Sequence, residues 1–239
     1  MTPRVAIVVF PGSNCEQDVL QAFACLGIRA EYVWHHVTDL GGFDAVVLPG
    51  GFSYGDYLRA GAVAGRSPVV EALREFVAGG GTVLGSCNGF QILCEAGFLP
   101  GALTRNECLQ YRCQSTHLIV DNVETPFTRG LRLGQVLTMP ISHGEGKYYA
   151  DPETLRELRA RNQVVFRYAE ADGRVTRASN PNGSLENIAG IVSLEGNVLG
   201  LMPHPERAAE TAMGGTDGLQ LFQSLLGSLV EDGSFRQAV

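Results

Sequence analysis

The sequence predicts an α/β fold, built as one domain over residues 1–239 with a mostly parallel central sheet flanked by helices. Three observations favour this class. Short Val/Ile-rich runs alternate with helical stretches along the first half, which is the rhythm of a parallel sheet covered on both faces. Glycine-rich loops follow two of these runs, and loops at the carboxyl ends of strands form the site in such sheets. A chain of 239 residues is long enough for one large core.

The first half contains the strands and helices of the parallel part. The apolar run from Val5 ends at Pro11-Gly12 without a small-residue cleavage site, so it is a first strand and not a signal peptide. Further strands are predicted where Val, Ile and Leu cluster, with helices between them. The predicted strands are residues 5–10, 30–34, 44–48 and 82–86, and the predicted helices are residues 16–26, 68–78 and 88–97.

The second half differs because turn residues, and not helices, separate its strand-like runs. This pattern favours an antiparallel excursion of the same sheet over a second domain. No internal repeat, low-complexity tract or linker divides the chain. The predicted strands are residues 115–120, 135–141, 164–169, 188–194 and 197–202.

The charge balance and the cysteines exclude several classes of protein. The chain has 18 Lys and Arg against 25 Asp and Glu, a net charge of −7 and no basic patch, so nucleic acid is not an expected partner. No apolar run approaches the roughly 20 residues that span a bilayer, so we expect no membrane association. Six cysteines without C-x-x-C pairs indicate a reduced, cytoplasmic protein. Cys15 is interpreted as a small core residue.

The segment Gly85-Ser86-Cys87-Asn88-Gly89 follows an apolar strand and has the spacing of a nucleophile elbow. In such an elbow a strand turns sharply into a helix, and the glycines allow the crowding that exposes one side chain. The helix N-terminus favours a thiolate at Cys87, which is the nucleophilic form of cysteine. The alternative is a buried structural cysteine in a tight turn.

A second motif, Pro203-His204-Pro205-Glu206, supplies a base and a carboxylate to orient it. Two prolines at this spacing exclude a helix, so we expect an extended or looped segment after a strand. Alternate residues of an extended chain face the same side, which places Glu206 beside one nitrogen of His204 and leaves the other nitrogen for Cys87. Taken alone, this histidine is more simply a structural loop residue.

The glycine-rich loop that begins at Pro49 is the predicted oxyanion site. Gly50-Gly51 frees the N–H groups of Gly51 and Phe52 to face the oxygen that becomes charged during attack on an amide. The N–H of Asn88, the residue after the nucleophile, is the other expected donor. The alternative interpretation is a plain turn.

Together these segments resemble the class I (triad-type) glutamine amidotransferases. The similarity rests on Gly85-Ser86-Cys87-Asn88-Gly89-Phe90-Gln91, Pro49-Gly50-Gly51 and His204-Pro205-Glu206. It is closer still to the glutaminase subunits of phosphoribosylformylglycinamidine synthases, through residues 9–16, 50–61, 141–146 and 202–207. The resemblance covers nearly the whole chain and implies the flavodoxin-like fold of a type-1 glutamine amidotransferase domain.

The resemblance implies that the chain hydrolyses glutamine to glutamate and ammonia. Cys87 would form a thioester, His204 would move protons and Glu206 would orient His204.

The resemblance also implies residues that hold the substrate. Gln91 lies one helical turn past Cys87 and would help to hold glutamine. The loop Ser142-His143-Gly144 would bind the amino-acid end of glutamine through backbone groups. The rival role for His143 is a second general base.

Partners follow from the same resemblance. Ammonia would pass to a large ATP-dependent synthetase subunit that converts formylglycinamide ribonucleotide to formylglycinamidine ribonucleotide in purine (IMP) biosynthesis, and a small third subunit would complete the complex. No cofactor or metal is expected in this chain, which lacks nucleotide-binding loops. ATP and magnesium are expected on the partner. Tyr54, Tyr57 and Arg59 are the expected docking contacts, and the alternative is that they are solvated loop side chains.

Three other functions stay open at this point. A glutaminase that feeds a different synthase would share the triad but should lack the loop Gly-Phe-Ser-Tyr-Gly-Asp. A cysteine hydrolase or redox sensor could share the elbow but would not need both the late His-x-Glu and Gln91. A catalytically silent binding subunit is the non-enzyme alternative.

Overall fold

The computed structural model of the chain describes residues 2–231. The predicted domain of residues 1–239 therefore extends at both ends beyond the described part. The strands are β1 (Val5–Val9), β2 (Ala30–Trp34), β3 (Ala45–Leu48), β4 (Thr82–Ser86), β5 (Ala102–Thr104), β6 (Arg112–Val120), β7 (Val136–His143), β8 (Lys147–Tyr149), β9 (Val164–Ala169), β10 (Ile188–Val192) and β11 (Val198–Leu201). The α-helices are α1 (Glu16–Cys25), α2 (Pro68–Ala78), α3 (Asn88–Glu95), α4 (Pro152–Ala160) and α5 (Leu219–Glu231).

Nine strands form one sheet in the order β2-β1-β3-β4-β11-β10-β9-β6-β7. The first five strands are parallel to one another, and the last four continue the sheet in antiparallel fashion. The predicted α/β fold class and the antiparallel excursion are confirmed. The strands that follow β1 in sequence lie on opposite sides of it, so the carboxyl ends of β1 and β3 border the crevice where open α/β sheets bind ligands.

Helices cover both faces of the sheet because alternate residues of the buried strands point to opposite sides. Val5 and Ile7 of β1 belong to the core that α1 and α5 complete, where Phe23 and Phe222 meet edge to face at 5.1 Å. The intervening residues of β1 belong to the other core, which buried side chains of α2, such as Phe76, and of α3 complete. Burial of each large apolar side chain contributes about 1.5–3 kcal/mol.

Two helices and a two-stranded ribbon of β5 and β8 were absent from the sequence-based expectation. Only Leu158 is fully buried in α4, so most of that helix faces solvent. The sequence pattern that marks the start of α4 is Asp151-Pro152. The Asp151 carboxylate caps the helix by accepting hydrogen bonds from the N–H groups of Glu153 and Thr154 at 2.9 and 3.0 Å. No helix within residues 2–231 has the length and apolarity to cross a membrane.

Candidate active site

The strand β4 turns directly into α3 at Cys87, whose backbone lies at φ 48° and ψ −104°. This conformation is rare for a residue with a side chain and costs about 1–3 kcal/mol. Glycine is required on both sides for steric reasons. A Cβ on Gly85 would lie 2.6 Å from Leu93 Cδ1, and a Cβ on Gly89 would lie 2.0 Å from the carbonyl oxygen of Leu48. The geometry is that of a nucleophile elbow.

The Cys87 thiol lies at the carboxyl edge of the sheet and is only 4% exposed. Its Sγ lies 3.6 Å from the carbonyl oxygen of Ser142, to which the thiol donates. The Cys87 N–H donates to the carbonyl of Leu201 at the end of β11. The thiol is thus held between the elbow and the loop after β7, and Cys87 lines the neighbouring pocket.

His204 lies just after β11 and is bonded to Glu206 in the interior. The imidazole Nδ1 lies 2.6 Å from Glu206 Oε1, and both residues are 1% exposed. The same carboxylate oxygen accepts a hydrogen bond from the Ser86 hydroxyl at 3.3 Å. Of the two expected conformations, extended or looped, the structure has the looped one beyond His204, because Pro205–Ala208 form a 3-10 turn that Pro205 begins. This turn still brings the carboxylate back onto the ring.

The electrostatics of His204 favour a proton on the ring. Burial alone disfavours the charged imidazole, but negative charge on Cys87 and on Glu206 outweighs this and raises the pKa of His204 well above its ordinary value. The other ring nitrogen, Nε2, is buried and has no hydrogen-bond partner within the described residues. The ring therefore has one nitrogen held by a carboxylate and one nitrogen free for proton transfer.

Cys15 also lies beside this histidine, which the sequence interpretation did not anticipate. Its Sγ is 3.8 Å from His204 Nδ1. Burial raises the pKa of the Cys15 thiol against the opposing hydrogen bond from the ring. A Cβ on Gly50 would lie 2.6 Å from His204 Cε1 and 3.1 Å from the Cys15 sulfur. The glycine after Pro49 therefore lets the loop pack onto the histidine, a role that local sequence does not reveal.

The predicted oxyanion donors divide into available and engaged groups. The Phe52 N–H donates to the carbonyl of Gly12 at 2.9 Å, so the prediction of this group as a donor is wrong for this conformation. Its engagement follows from the bridge that pairs Ser13 with Gly51. The Gly51 N–H has no backbone acceptor within residues 2–231, and the Asn88 N–H, at the first position of α3, has no acceptor in its own helix.

The side chains of Asn88 and Gln91 join three segments that line the site. Asn88 Oδ1 accepts the N–H of Ser53 at 3.1 Å, and Asn88 Nδ2 donates to Gln91 Oε1 at 2.9 Å. Gln91 Nε2 in turn donates to the carbonyl of Glu145 at 2.7 Å. Both ends of the Gln91 amide are therefore engaged by protein. Gln91 positions the loop after β7, in addition to any contact with substrate.

The loop Ser142-His143-Gly144 is held from outside by Asn106, which the sequence interpretation missed. Asn106 Nδ2 donates to the His143 carbonyl at 2.9 Å, and the Asn106 N–H donates to the Gly144 carbonyl. Asn106 Oδ1 accepts the Gly146 N–H, so His143 Nδ1, 3.2 Å from this oxygen, must donate to it. Burial and the nearby His204 lower the pKa of His143 to about 4, so the ring is neutral at pH 7 and a weak base.

A pocket of about 220 Å³ opens onto the thiol and collects most of the predicted residues. His204, Glu206 and Asn88 are not among the residues that line it. Asp56, Tyr111 and Glu145 are lining residues that the sequence interpretation did not single out, although Asp56 and Glu145 lie within the quoted motifs. The pocket is lined by Gly51, Phe52, Asp56, Cys87, Gln91, Tyr111, Ser142, His143, Gly144 and Glu145.

The three residues expected to contact a partner have different environments. Tyr57 is 77% exposed and directly follows Asp56, which lines the pocket. Tyr54 is partly buried, and its hydroxyl lies 2.9 Å from His35 Nδ1, so it holds the loop to β2. Arg59 is exposed but makes a two-pronged ion pair with Glu95 at 2.5 Å. Tyr57 alone has the features of a free docking side chain.

Comparison with known proteins defines the class. Residues 2–217 match the model of the CobB/CobQ-like glutamine amidotransferase domain. The chain belongs to this family of glutamine amidotransferases.

Particular relatives carry a narrower name. The chain is 58% identical over 224 residues to phosphoribosylformylglycinamidine synthase subunit PurQ of Moorella thermoacetica, covering 93% of this chain and 95% of that protein. It is 59% identical over 227 residues to subunit PurQ of Thermus thermophilus, covering 93% and 97%. The structure of PurLQS from Thermotoga maritima contains a chain that is 42% identical, with a TM-score of 0.85, and the match covers 96% of this chain and 100% of that one.

Proposed function

We propose that this chain is the glutaminase subunit of a phosphoribosylformylglycinamidine synthase. It hydrolyses L-glutamine and supplies the ammonia that converts formylglycinamide ribonucleotide to formylglycinamidine ribonucleotide in purine biosynthesis. The observation that carries the chemistry is a thiol on a strained elbow that lines a pocket and interacts with a histidine bonded to a carboxylate. The names of relatives above 50% identity over nearly the whole chain support the particular complex.

The first half of the reaction forms a thioester. The Cys87 thiolate attacks the side-chain amide carbon of glutamine, and the N–H groups of Gly51 and Asn88 stabilise the resulting oxyanion. Protonated His204 gives its Nε2 proton to the leaving nitrogen, which departs as ammonia. Glu206 keeps Nδ1 protonated and stabilises the charged ring, at their separation of 2.6 Å.

The second half releases glutamate. Neutral His204 takes a proton from water, which attacks the thioester carbon and forms a second oxyanion at the same donors. Collapse of this intermediate breaks the carbon–sulfur bond and restores the Cys87 thiolate beside the protonated ring.

The loop that contains Gly51 is anchored to the loop after β1, because the Phe52 N–H donates to the Gly12 carbonyl while Gly51 lines the pocket.

The remaining parts of the proposal concern the setting. The chemistry assigned to this chain needs no cofactor, and the ATP and magnesium for amination belong to the large synthetase subunit. A small third subunit completes the complex, in accord with the name of the Thermotoga assembly. The cytoplasm suits a reactive thiol and six free cysteines. Against the redox-sensor alternative, no second cysteine appears among the residues that line the pocket.

The test uses the purified chain with a synthetase subunit, ATP and formylglycinamide ribonucleotide. Glutamate release from glutamine should be lost in Cys87→Ala, while amination with free ammonium should persist in the complex. A Cys94→Ala variant is the matched control, because Cys94 lies in α3, the helix that follows Cys87, and is not among the residues that line the pocket. Retention of glutamine-dependent amination by Cys87→Ala would reject the glutaminase role in favour of a scaffold.

A further inference from the structure

Cys15 is a buried thiol that the proposed reaction does not use. It directly precedes α1, is 2% exposed, and its sulfur lies 3.8 Å from His204 Nδ1. We infer that Cys15 is a positioning residue for the reaction, because its sulfur fixes the His204 ring against the glycine-rich loop that begins at Pro49. This inference rests on the proposed glutaminase function and adds the residue that sets the base relative to the oxyanion loop.

The place of Cys15 at the start of α1 favours a role outside that helix. Serine, threonine, aspartate and asparagine are the usual residues here, because their side-chain oxygens accept the first free N–H groups of a helix. Cys15 stands at this position with φ at −108° and ψ at 11°, and its side chain caps none of these groups. The sulfur instead contacts a histidine that lies 189 positions further along the chain.

Toward this histidine the sulfur can act only as an acceptor. Glu206 Oε1 lies 2.6 Å from Nδ1 of His204 and keeps a proton there in both halves of the reaction. A protonated ring nitrogen donates, so the S–H of Cys15 cannot donate to it, and the sulfur is a second, weak acceptor. Burial raises the pKa of the Cys15 thiol. The thiol therefore stays neutral and leaves the negative charge on this side of the ring to Glu206.

The glycine-rich loop completes the contact. The N–H groups of Asn14 and Cys15 both donate to the Gly50 carbonyl, each at 3.2 Å. A Cβ on Gly50 would lie 3.1 Å from the Cys15 sulfur and 2.6 Å from His204 Cε1, so no side chain fits between the loop, the sulfur and the ring. The next residue, Gly51, carries the predicted oxyanion donor. Cys15 thus contacts the base through its side chain and the oxyanion loop through its backbone.

A second contact holds the start of α1 against the turn that follows His204. Asp18 lies within one helical turn of Cys15, and its carboxylate accepts a hydrogen bond from Arg207 Nε at 3.0 Å. Arg207 belongs to the turn Pro205–Ala208 that carries the orienting carboxylate. The first turn of α1 therefore supports this segment at two points, one through an ion pair and one through the Cys15 sulfur.

Loss of the sulfur would leave space beside the ring. The bond from Nδ1 to Glu206 would remain, but the ring could turn about it and displace Nε2, which exchanges protons with the reacting groups. A misplacement of about 1 Å can cost about 100-fold in rate. Cys15 is not among the residues that line the pocket. Its loss should therefore affect the rate of the chemical steps far more than the affinity for glutamine.

The first experiment compares Cys15→Ala with the wild-type chain in the reconstituted complex. The variant should lower kcat for glutamine-dependent amination about 10- to 100-fold, with less than about a threefold change in KM and no change with free ammonium. Cys15→Ser returns an acceptor to this place and should recover most of the lost rate. Val19→Ala is the matched control, because Val19 is fully buried in α1. It should lower the melting temperature at least as much as Cys15→Ala and keep the wild-type kcat.

A second experiment tests the ring itself and needs no substrate. The contact with the Cys15 sulfur favours the charged ring, and the charged ring favours the Cys87 thiolate. Cys15→Ala should therefore shift the pH midpoint of Cys87 alkylation by iodoacetamide upwards by about half a unit, measured on the Cys87 peptide by mass spectrometry. Val19→Ala should keep the wild-type midpoint. The titratable groups that face His204 in both proteins are Cys87 of the elbow, Glu206 of its own turn and neutral His143 at the end of β7.

Four results would overturn the inference. They are an unchanged kcat in Cys15→Ala, an equal loss of kcat in Val19→Ala, no recovery in Cys15→Ser, and an alkylation midpoint that does not move. If the wild-type complex releases no glutamate from glutamine, the proposed function fails, and the alkylation midpoints still decide whether Cys15 acts on His204.

Discussion

The strained backbone at Cys87 leads to a stability prediction that reverses the usual ranking of glycine and alanine. At φ 48° and ψ −104°, a side chain costs about 1–3 kcal/mol. Glycine adopts this conformation without strain. At ordinary helix or strand positions glycine is less stable than alanine by about 0.5–1 kcal/mol. The difference in unfolding free energy between Cys87→Gly and Cys87→Ala therefore measures the strain.

The magnitude follows from what the two variants share. Both lose the thiol and its packing, so these losses cancel in the difference between Cys87→Gly and Cys87→Ala. Glycine gains about 2 kcal/mol of strain relief but loses about 0.8 kcal/mol for one buried methyl and about 0.7 kcal/mol in backbone entropy. The glycine variant should thus equal or exceed the alanine variant in unfolding free energy, by about 0.5 kcal/mol.

Cys94 is the internal control because it lies within α3, where its backbone is helical. Cys94→Gly should be less stable than Cys94→Ala by about 1–1.5 kcal/mol. The two sites should therefore differ by about 2 kcal/mol in the gap between glycine and alanine. Equilibrium urea unfolding of the four variants, monitored by circular dichroism, gives this double difference. Equal gaps at Cys87 and Cys94 would refute the argument that the elbow stores strain.

Two further predictions concern packing and charge. Gly89→Ala should lower the unfolding free energy by about 3 kcal/mol or more, because its Cβ would lie 2.0 Å from the Leu48 carbonyl oxygen. Gly227 is on an exposed face of α5 with open space around it, so Gly227→Ala should instead raise the unfolding free energy by about 0.5–1 kcal/mol. Equal urea midpoints for Gly89→Ala and Gly227→Ala would contradict this. Asp56→Asn should stabilise the free protein by about 1 kcal/mol at pH 8, after discounting for its partial exposure. Because the pKa of Asp56 is raised to about 6, the protonated carboxyl costs the folded protein nothing below pH 3.8, and this stability is lost as the pH rises through 6. A difference in unfolding free energy between Asp56→Asn and wild type that persists at pH 3.5 would contradict this explanation.

The parallel half of the sheet was predictable because its strands are short apolar runs that need no distant information. Val5 to Val9 is buried along nearly its whole length, and such runs are typical of parallel strands. The helix α4 escaped prediction because it buries one residue and lies on the surface. The ribbon of β5 and β8 escaped because each strand has three residues. Its pairing depends on contacts between segments more than 40 residues apart.

The candidate site was predicted in its chemical types more than in its contacts. The structure brings Glu206 to 2.6 Å from His204, and the catalytic roles of Cys87, His204 and Glu206 stay a prediction. Phe52 was expected to offer its N–H to substrate, yet that N–H pairs with Gly12 of another loop. Gln91 was expected to face glutamine, yet both ends of its amide bond to protein. In each case a partner far along the chain, Gly12 or Glu145, takes one of the hydrogen bonds that orient the group.

The amino-acid sequence by itself determined the elbow, the glycine-rich loop and the His-x-Glu pair, because these depend on neighbours within a few residues. It also determined the strands of the parallel half, since burial on both faces demands continuous apolar residues. The tertiary structure alone decided that Cys15 touches His204 and that Asp56 shares a pocket with Glu145. The physical reason is the strand order, which brings loops far apart in the chain to one edge of the sheet, where burial and charge then act between residues that no local pattern connects.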